Sequence, residues 1–491
     1  MFQKHQQNSY LVGVFYLENK KFSVKKNKIM FSKETYIQRR KLLKETVGNG
    51  LILLFGNDES PMNYTDNTYH FRQDSTFLYF FGINRPSLAA IIDCDSGEEW
   101  VFGNDFTVED FVWMGPQPTI ASLASEVGIT KTDAIYNLTK LLDKHSKERK
   151  VHFLPPYRGD NKIKLFEWLG IAPNEQAKKV SIALINAVVN QRNYKTPEEV
   201  SLLHKAVDIS VDMHKLAMRM AKPGVTEAQI AAAVQEVAVG AGGQTSFPII
   251  ATINGQTLHN HYHGNTLKEG DLFLMDAGAE IPMGYCGDLS STVPVSGKFT
   301  SKQKDIYNIC LESHNAAIEM LKPGVTFKDI HLNSARTIVE GFKDLGIMKG
   351  NVEDAVANGA HALFFPCGLG HMMGLDVHDM EDLGEMYVGY GGNPKSTQFG
   401  LKSLRLGRKL EKDFVLTIEP GIYFIPELIN QWSATNHNAD YINFKKLKEY
   451  HSFSGLRNEE DFLITETGYQ LLGKPKPKSI KDVEAEWTKG L

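Results

Sequence analysis

Nowhere does this chain hold the roughly 18 consecutive apolar residues that a membrane-crossing helix requires. The stretch LVGVFYL, residues 11–17, is apolar but short, and no small-residue cleavage site follows it. Neither a membrane anchor nor a secretory leader is therefore expected. Cysteine is scarce. Cys94, Cys286, Cys310 and Cys367 are the only four, and they show no paired spacing. That excludes a disulfide framework and points to a reducing, cytoplasmic setting. An excess of charge of either sign is also lacking: 54 basic and 58 acidic residues leave a net charge of -4. No electrostatic attraction to nucleic acid or membrane follows from that balance. What is present is length, and 491 residues suffice for two or three domains with large cores.

The composition divides the chain. Residues 1–29 are rich in Lys, Gln and Asn, end in the basic run KKFSVKKNK, and read as an N-terminal extension. From Met30 the pattern MFSKETYIQRRKLLKE predicts an amphipathic helix capped by Ser32. Over residues 30–190 the apolar runs LILLFG, FLYFFG, AAIIDC and EWVFG read as strands, and LASEVG and TDAIYNLTKLLDKHSK as helices. Such interleaving predicts an α/β domain. A second unit is expected over residues 195–475. It opens on Thr196-Pro197-Glu198-Glu199, with a capping threonine, a first-turn proline and a glutamate placed to close a capping box. One sequence is then heard twice: MHKLAMRMAKPGVTEAQI at 213–230 and SHNAAIEMLKPGVTFKDI at 313–330. The identities fall on a helix, its stop and the cap of the next helix, with Thr226 as the first such cap. This predicts two similar halves with a site where they meet, and His214 and His314 as helix-face residues that bind no metal.

Five side chains stand out in the second unit. Asp276, Asp288, His371, Glu419 and Glu459 lie in the contexts LFLMDAGAE, GYCGDLSST, GLGHMMGLDVHD, VLTIEPGIYF and GLRNEEDFLITETG. Four carboxylates and one imidazole form a hard, oxygen-rich donor set suited to a pair of divalent ions such as Mn²⁺. Asp276 and Asp288 flank a Pro282–Gly284 turn signal, so a hairpin would make them cross-strand neighbours, and two adjacent carboxylates call for a cation. Strand alternation places Arg457, Glu459 and Asp461 on one face, with the arginine able to orient a ligating glutamate. This set predicts two-metal hydrolysis.

In this order the motifs resemble those of the pita-bread metallopeptidase family, which includes aminopeptidase P, prolidase and methionine aminopeptidase. The likeness spans about 195–470, and FRQDSTFLYFFG resembles the N-terminal domain of the aminopeptidase P and prolidase branch. The resemblance implies an α/β N-terminal domain and an α+β, pseudo-two-fold catalytic domain. It also implies two Mn²⁺ ions on the five residues above, proline-containing peptides as substrates, and a homodimer. Hydrolysis would fall on the first bond, before proline, with Glu419 as proton shuttle and His378 supporting the tetrahedral intermediate. The other substrate histidine lies in LHNHYHG, where register favours His259 and His261 is the alternative. Arg457 is grouped with the substrate-side residues. Arg405, in GLKSLRLGR, matches the prolidase position that would hold a dipeptide carboxylate. Aminopeptidase activity is preferred and dipeptidase activity is the alternative; a metal-free binding module is a remote third. Two departures stand near the substrate region: Cys367 where many relatives carry histidine, and Ser291 where many carry arginine.

Overall fold

The computed structural model describes residues 30–490, and the extension expected over residues 1–29 lies outside them. Helix Lys33–Val47 begins as the sequence predicts, with Ser32 Oγ accepting from the Thr35 amide at 3.2 Å. A five-stranded mixed sheet follows: β1 (Leu51–Phe55), β2 (Ala89–Asp93), β3 (Glu99–Phe102), β4 (Lys131–Asp133) and β5 (Val151–His152), in the order β4-β3-β2-β1-β5. Strand alternation sends Leu51, Leu53, Ala89 and Ile91 to one core and Ile52, Leu54, Ala90 and Ile92 to another. The second of these cores continues without a break into the rest of the molecule.

Two readings of this region need correction. FLYFFG is not a strand: residues Ser75–Phe81 form a helix capped by Asp74, whose side chain accepts from the Phe77 amide at 2.8 Å, and stopped by Gly82 at φ 61°. All seven of its residues are buried, so no polar face betrays the 3.6-residue period. TDAIYNLTKLLDKHSK is α-helical only over Leu138–His145, entered through a 3₁₀ turn at Ile135–Asn137, because its start is drawn into the sheet as β4.

Helix Ile182–Arg192 leads to the capping box at Thr196 and Glu199, which opens the 24-residue helix Pro197–Met220. The two KPGVT segments are stops of the same kind. Gly224 and Gly324 have φ of 89° and 87°, a region that a β-carbon disfavours. Their amides donate to Leu267 and Leu410 carbonyls at 2.9 and 2.8 Å, so the repeat extends to the chain that enters each half's sheet. Helices Glu227–Gly240 and Phe327–Asp344 follow; Thr226 caps the first by its side chain, whereas Thr326 makes no such bond.

The first half supplies β6 (Gln244–Thr245), β7 (Ile250–Thr252), β8 (Leu272–Ala277), β9 (Ala279–Glu280) and β10 (Leu289–Pro294). The second supplies β11 (Val415–Ile418), β12 (Gly421–Tyr423), β13 (Gly455–Arg457), β14 (Glu460–Ile464) and β15 (Tyr469–Leu471). Sheets β10-β8-β7 and β11-β14-β15 meet where the Glu459 amide donates to Ser290 O at 3.2 Å. This is the pseudo-two-fold α+β arrangement that the sequence implies.

Candidate metal centre

Register decides what meets at this seam. β8 and β10 pair antiparallel with Asp276 directly opposite Ser290, not Asp288. Asp288 sits two positions earlier, just before β10, so the two aspartates are diagonal neighbours on one face of the sheet and not the directly opposed pair expected. Ser290 takes the place between them. Its hydroxyl donates to Glu459 Oε2 at 2.8 Å and accepts from Arg457 Nε at 2.8 Å. Arg457 also donates to Tyr423 OH at 2.6 Å and to Asp276 Oδ2. Asp461 lies fully buried behind this layer and accepts from the Asp288 amide at 3.1 Å.

His371 completes the arrangement. Its Nδ1 donates to the Met372 carbonyl at 3.0 Å, which leaves the Nε2 lone pair facing inward. That nitrogen stands 3.3 Å from Asp288 Oδ2 and 3.6 Å from Glu419 Oε1. Donor atoms of Asp288, His371 and Glu459 all lie within 4.8 Å of one another. Asp276 joins them through Arg457, and Glu419 through His371. Buried Asp276 Oδ1, Asp288 Oδ1 and Glu459 Oε1 have no hydrogen-bond partner among the described residues. Burial, then mutual repulsion, pushes Asp288 and Glu459 above the ordinary carboxylate range; burial also raises Glu419. Acceptors facing acceptors, all buried, are a fit for hard divalent cations and for little else.

The substrate-side residues form a rim. His378 stands 4.2 Å from the His371 ring, edge to face, and its Nδ1 bonds Glu381 Oε2 at 2.6 Å. Glu381 Oε1 accepts from Arg405 Nε at 3.2 Å; the His378 bond and the Arg405 charge hold its pKa down at about 2. The two Nη atoms of Arg405 make no hydrogen bond among the described residues. His259 and His261 are both exposed and neither makes a hydrogen bond among the described residues; His259 alone lies within electrostatic reach of Arg457, Asp276, Arg405 and His378. Cys367 lies half-buried, 4.0 Å from Tyr423 OH, and burial raises its thiol to about 12.

Ser291 does not border the substrate region. It is buried on the opposite face of β10, bonded to His214 Nδ1 at 2.8 Å and to Lys476 Nζ at 3.1 Å. Alternation explains this, since Ser290 faces the centre and its neighbour must face away. His214, with its Nε2 on Ala277 O at 3.0 Å, is a strand-to-helix strut. The residues that sequence reasoning missed are Ser290, Tyr423, Glu381 and Lys476. A serine two positions after Asp288 carries a signal only once the β8–β10 register is known.

The profile of metallopeptidase family M24 matches residues 201–466, and that of the aminopeptidase P N-terminal domain matches residues 36–153. The chain belongs to metallopeptidase family M24. Among its M24 relatives is the Xaa-Pro dipeptidase of Homo sapiens, 29% identical over 490 residues, with 96% of this chain and 95% of that one covered. The Xaa-Pro aminopeptidase of Escherichia coli (strain K12) is 30% identical, with 92% and 97% covered. A solved structure of zinc-substituted E. coli aminopeptidase P with product superposes with a TM-score of 0.77 at 27% identity, covering 94% and 99%. As a member of M24, this protein is a metallopeptidase with the two-domain plan of that structure. Among the described residues, no helix is long and apolar enough to cross a membrane.

Proposed function

We propose that this protein is a dinuclear, Mn²⁺-dependent Xaa-Pro aminopeptidase that removes the residue preceding an N-terminal proline bond, acting as a cytoplasmic homodimer. The observation that carries the reading is His371 Nε2 facing two carboxylates with no donor between them. Asp276, Asp288, His371, Glu419 and Glu459 would hold the ions. Their oxygen-rich chemistry favours Mn²⁺ over a thiophilic metal. Bound ions would supply Lewis-acid activation of water and of the scissile carbonyl.

The chain's own groups divide the remaining work. Glu419 is the more accessible carboxylate, its side chain 20% exposed against 6% for Asp288. That accessibility suits it to take a proton from water and return it to the leaving amine. With Nδ1 committed to Glu381, His378 has only Nε2 for substrate, and a proton carried there would let it stabilise the developing oxyanion. His259 would supply the second substrate histidine, supported by its electrostatic reach to Asp276, Arg457 and His378. Arg457 orients Asp276 and Ser290 from behind, because its Nε, Nη1 and Nη2 each donate within the protein. This makes it a support for ligands and not a substrate contact.

One observation favours the dipeptidase reading. Arg405 is anchored at Nε by Glu381 while its outer fork is left without a protein partner, a geometry suited to a dipeptide's free carboxylate. The two readings part on Gly-Pro and Gly-Pro-Pro-type peptides, assayed with Mn²⁺-loaded protein and a Glu419→Gln control. Cleavage of the longer peptide supports aminopeptidase, and cleavage of the dipeptide alone supports dipeptidase. Cleavage of neither, with metal bound, overturns both.

A further inference from the structure

His371 and His378 sit at the two ends of one short loop, and that loop is gripped from outside the catalytic domain. The Asp379 amide donates to Met372 O at 2.9 Å, which closes residues 372–379 on themselves. A β-carbon on Gly374 would stand 2.5 Å from Asp379 Oδ2, so the closure is tight. The catalytic domain's backbone pins the near end of the loop, with Met373 N donating to Val415 O and Cys286 N to Gly374 O, each at 3.0 Å. The far end, residues 375–379, is held by four side chains from the first domain and from the segment that joins the two domains.

Arg192, the last residue of helix Ile182–Arg192, donates to Asp379 Oδ1 at 2.6 Å and to Asp376 Oδ2 at 2.8 Å. Its other terminal nitrogen donates to Thr76 Oγ1 at 2.9 Å, in the buried helix Ser75–Phe81. Lys195 Nζ reaches Asp379 Oδ2 at 2.9 Å. Ser75 Oγ donates to Asp376 Oδ1 at 2.5 Å, and Arg72 donates to Leu375 O at 2.5 Å while its Nε pairs with Glu280 at 2.8 Å. Arg192, Lys195 and Asp379 have side chains only 1–3% exposed. Two cations answer two aspartates, so the charge closes. A buried network of this kind gives little net stability, because desolvation offsets attraction; what it fixes is geometry.

We propose that Arg192 is a positioning residue for His378, and that through it the seating of the first domain on the loop sets the alignment of the substrate-side histidine. The first domain is then a working part of the active site and not only a cover. Asp379 follows His378 directly, so any swing of the Asp379 carboxylate toward or away from Arg192 rotates the peptide that carries the imidazole. A misplacement on the order of 1 Å can cost as much as ~100-fold in rate.

The inference rests on the reading that His378 acts on substrate, and a double-mutant cycle separates the two. Ser75→Ala with Thr76→Val removes two hydroxyls from the grip without leaving a bare buried charge, so folding is retained. In the full-length, Mn²⁺-loaded protein this pair should lower kcat about tenfold with KM changed less than about twofold. In a His378→Ala background the same pair should lower kcat by less than about twofold, because the residue it positions is gone. Equal losses in both backgrounds would mean the grip is merely structural and would overturn the proposal. If His378→Ala itself leaves kcat intact, the reading of His378 fails instead. Hydrogen–deuterium exchange supplies a readout free of any substrate: in the hydroxyl-deletion pair, amides 372–384 should exchange faster than in the parent. Unchanged exchange there overturns the grip whatever the enzyme cleaves.

Discussion

Nε2 of His371 and Oδ2 of Asp288 face each other at 3.3 Å as two acceptors, with the other nitrogen of the imidazole already spent on Met372 O. Only a cation or an added proton reconciles them. Metal should therefore act as a folding ligand. At Mn²⁺ near 100 times Kd the native state should gain about 2.7 kcal/mol, read as a rise in melting temperature over chelator-treated protein. A melting temperature indifferent to Mn²⁺ would contradict the assignment. Asp288→Asn, which supplies a donor at the same place, should narrow the gap by stabilising the metal-free form.

Arg457 holds Asp276, Ser290 and Tyr423 at once. Arg457→Met should weaken metal binding by about 10- to 100-fold in a chelator competition. It should also cost about 3–5 kcal/mol of stability by leaving buried acceptors unanswered. Arg457→Lys should rescue neither, because one ammonium cannot span the three partners.

Substrate length is the test of Arg405. Arg405→Met should raise KM for Gly-Pro at least about tenfold while a longer, C-terminally amidated peptide changes by less than about twofold. Parallel losses on both substrates would show that the arginine supports the site through Glu381 instead of reading a carboxylate. Glu381→Gln distinguishes further, since it frees Arg405 and His378 together and should lower kcat on either peptide.

Acid should find the histidine pair His331 and His361. Their rings lie 6.2 Å apart, fully buried, and none of the four nitrogens has a hydrogen-bond partner among the described residues. Burial, first of all, lowers His331 to about 3 and His361 to about 4. Folded values below the unfolded one mean that the unfolded chain takes up more protons on acidification. Stability from this pair is intact above about pH 6.5 and is lost as pH falls toward the folded values, at most about 1.4 kcal/mol per pH unit for each ring. Denaturant midpoints between pH 7.5 and 5 should fall less steeply in His331→Phe than in the parent. Equal slopes would remove these rings from the account.

Much of this was legible in the sequence where a local rule fixes the outcome. The Thr196–Glu199 capping box, the Ser32 cap and the twin KPGVT stops all depend on neighbours three or four residues apart. FLYFFG misled because a helix buried on every side shows no amphipathic period, and its only markers are Asp74 before it and Gly82 after it. At the candidate site, residue types announced a metal, but their relations did not follow. Whether Asp276 opposes Asp288 or Ser290 is a matter of register, set by how far the turn between the strands extends. Ser291 was misplaced for a different reason, because alternation along β10 from Asp288 sends it to the far face. The grip on residues 372–379 joins positions such as Ser75 and Asp376 that only the folded chain brings together, and no spacing rule reaches that far.

The mirrored stops at Gly224 and Gly324 have one more consequence. Asp276 and Asp288 belong to the half that the first stop opens, and His371, Glu419 and Glu459 to the half opened by the second. Neither half holds all five of these donors. A nascent or cleaved chain lacking the last strands would lack Glu459, one of the three residues whose donor atoms converge within 4.8 Å. A full complement of ions held by all five would mark a chain whose two halves have both been made, folded and joined.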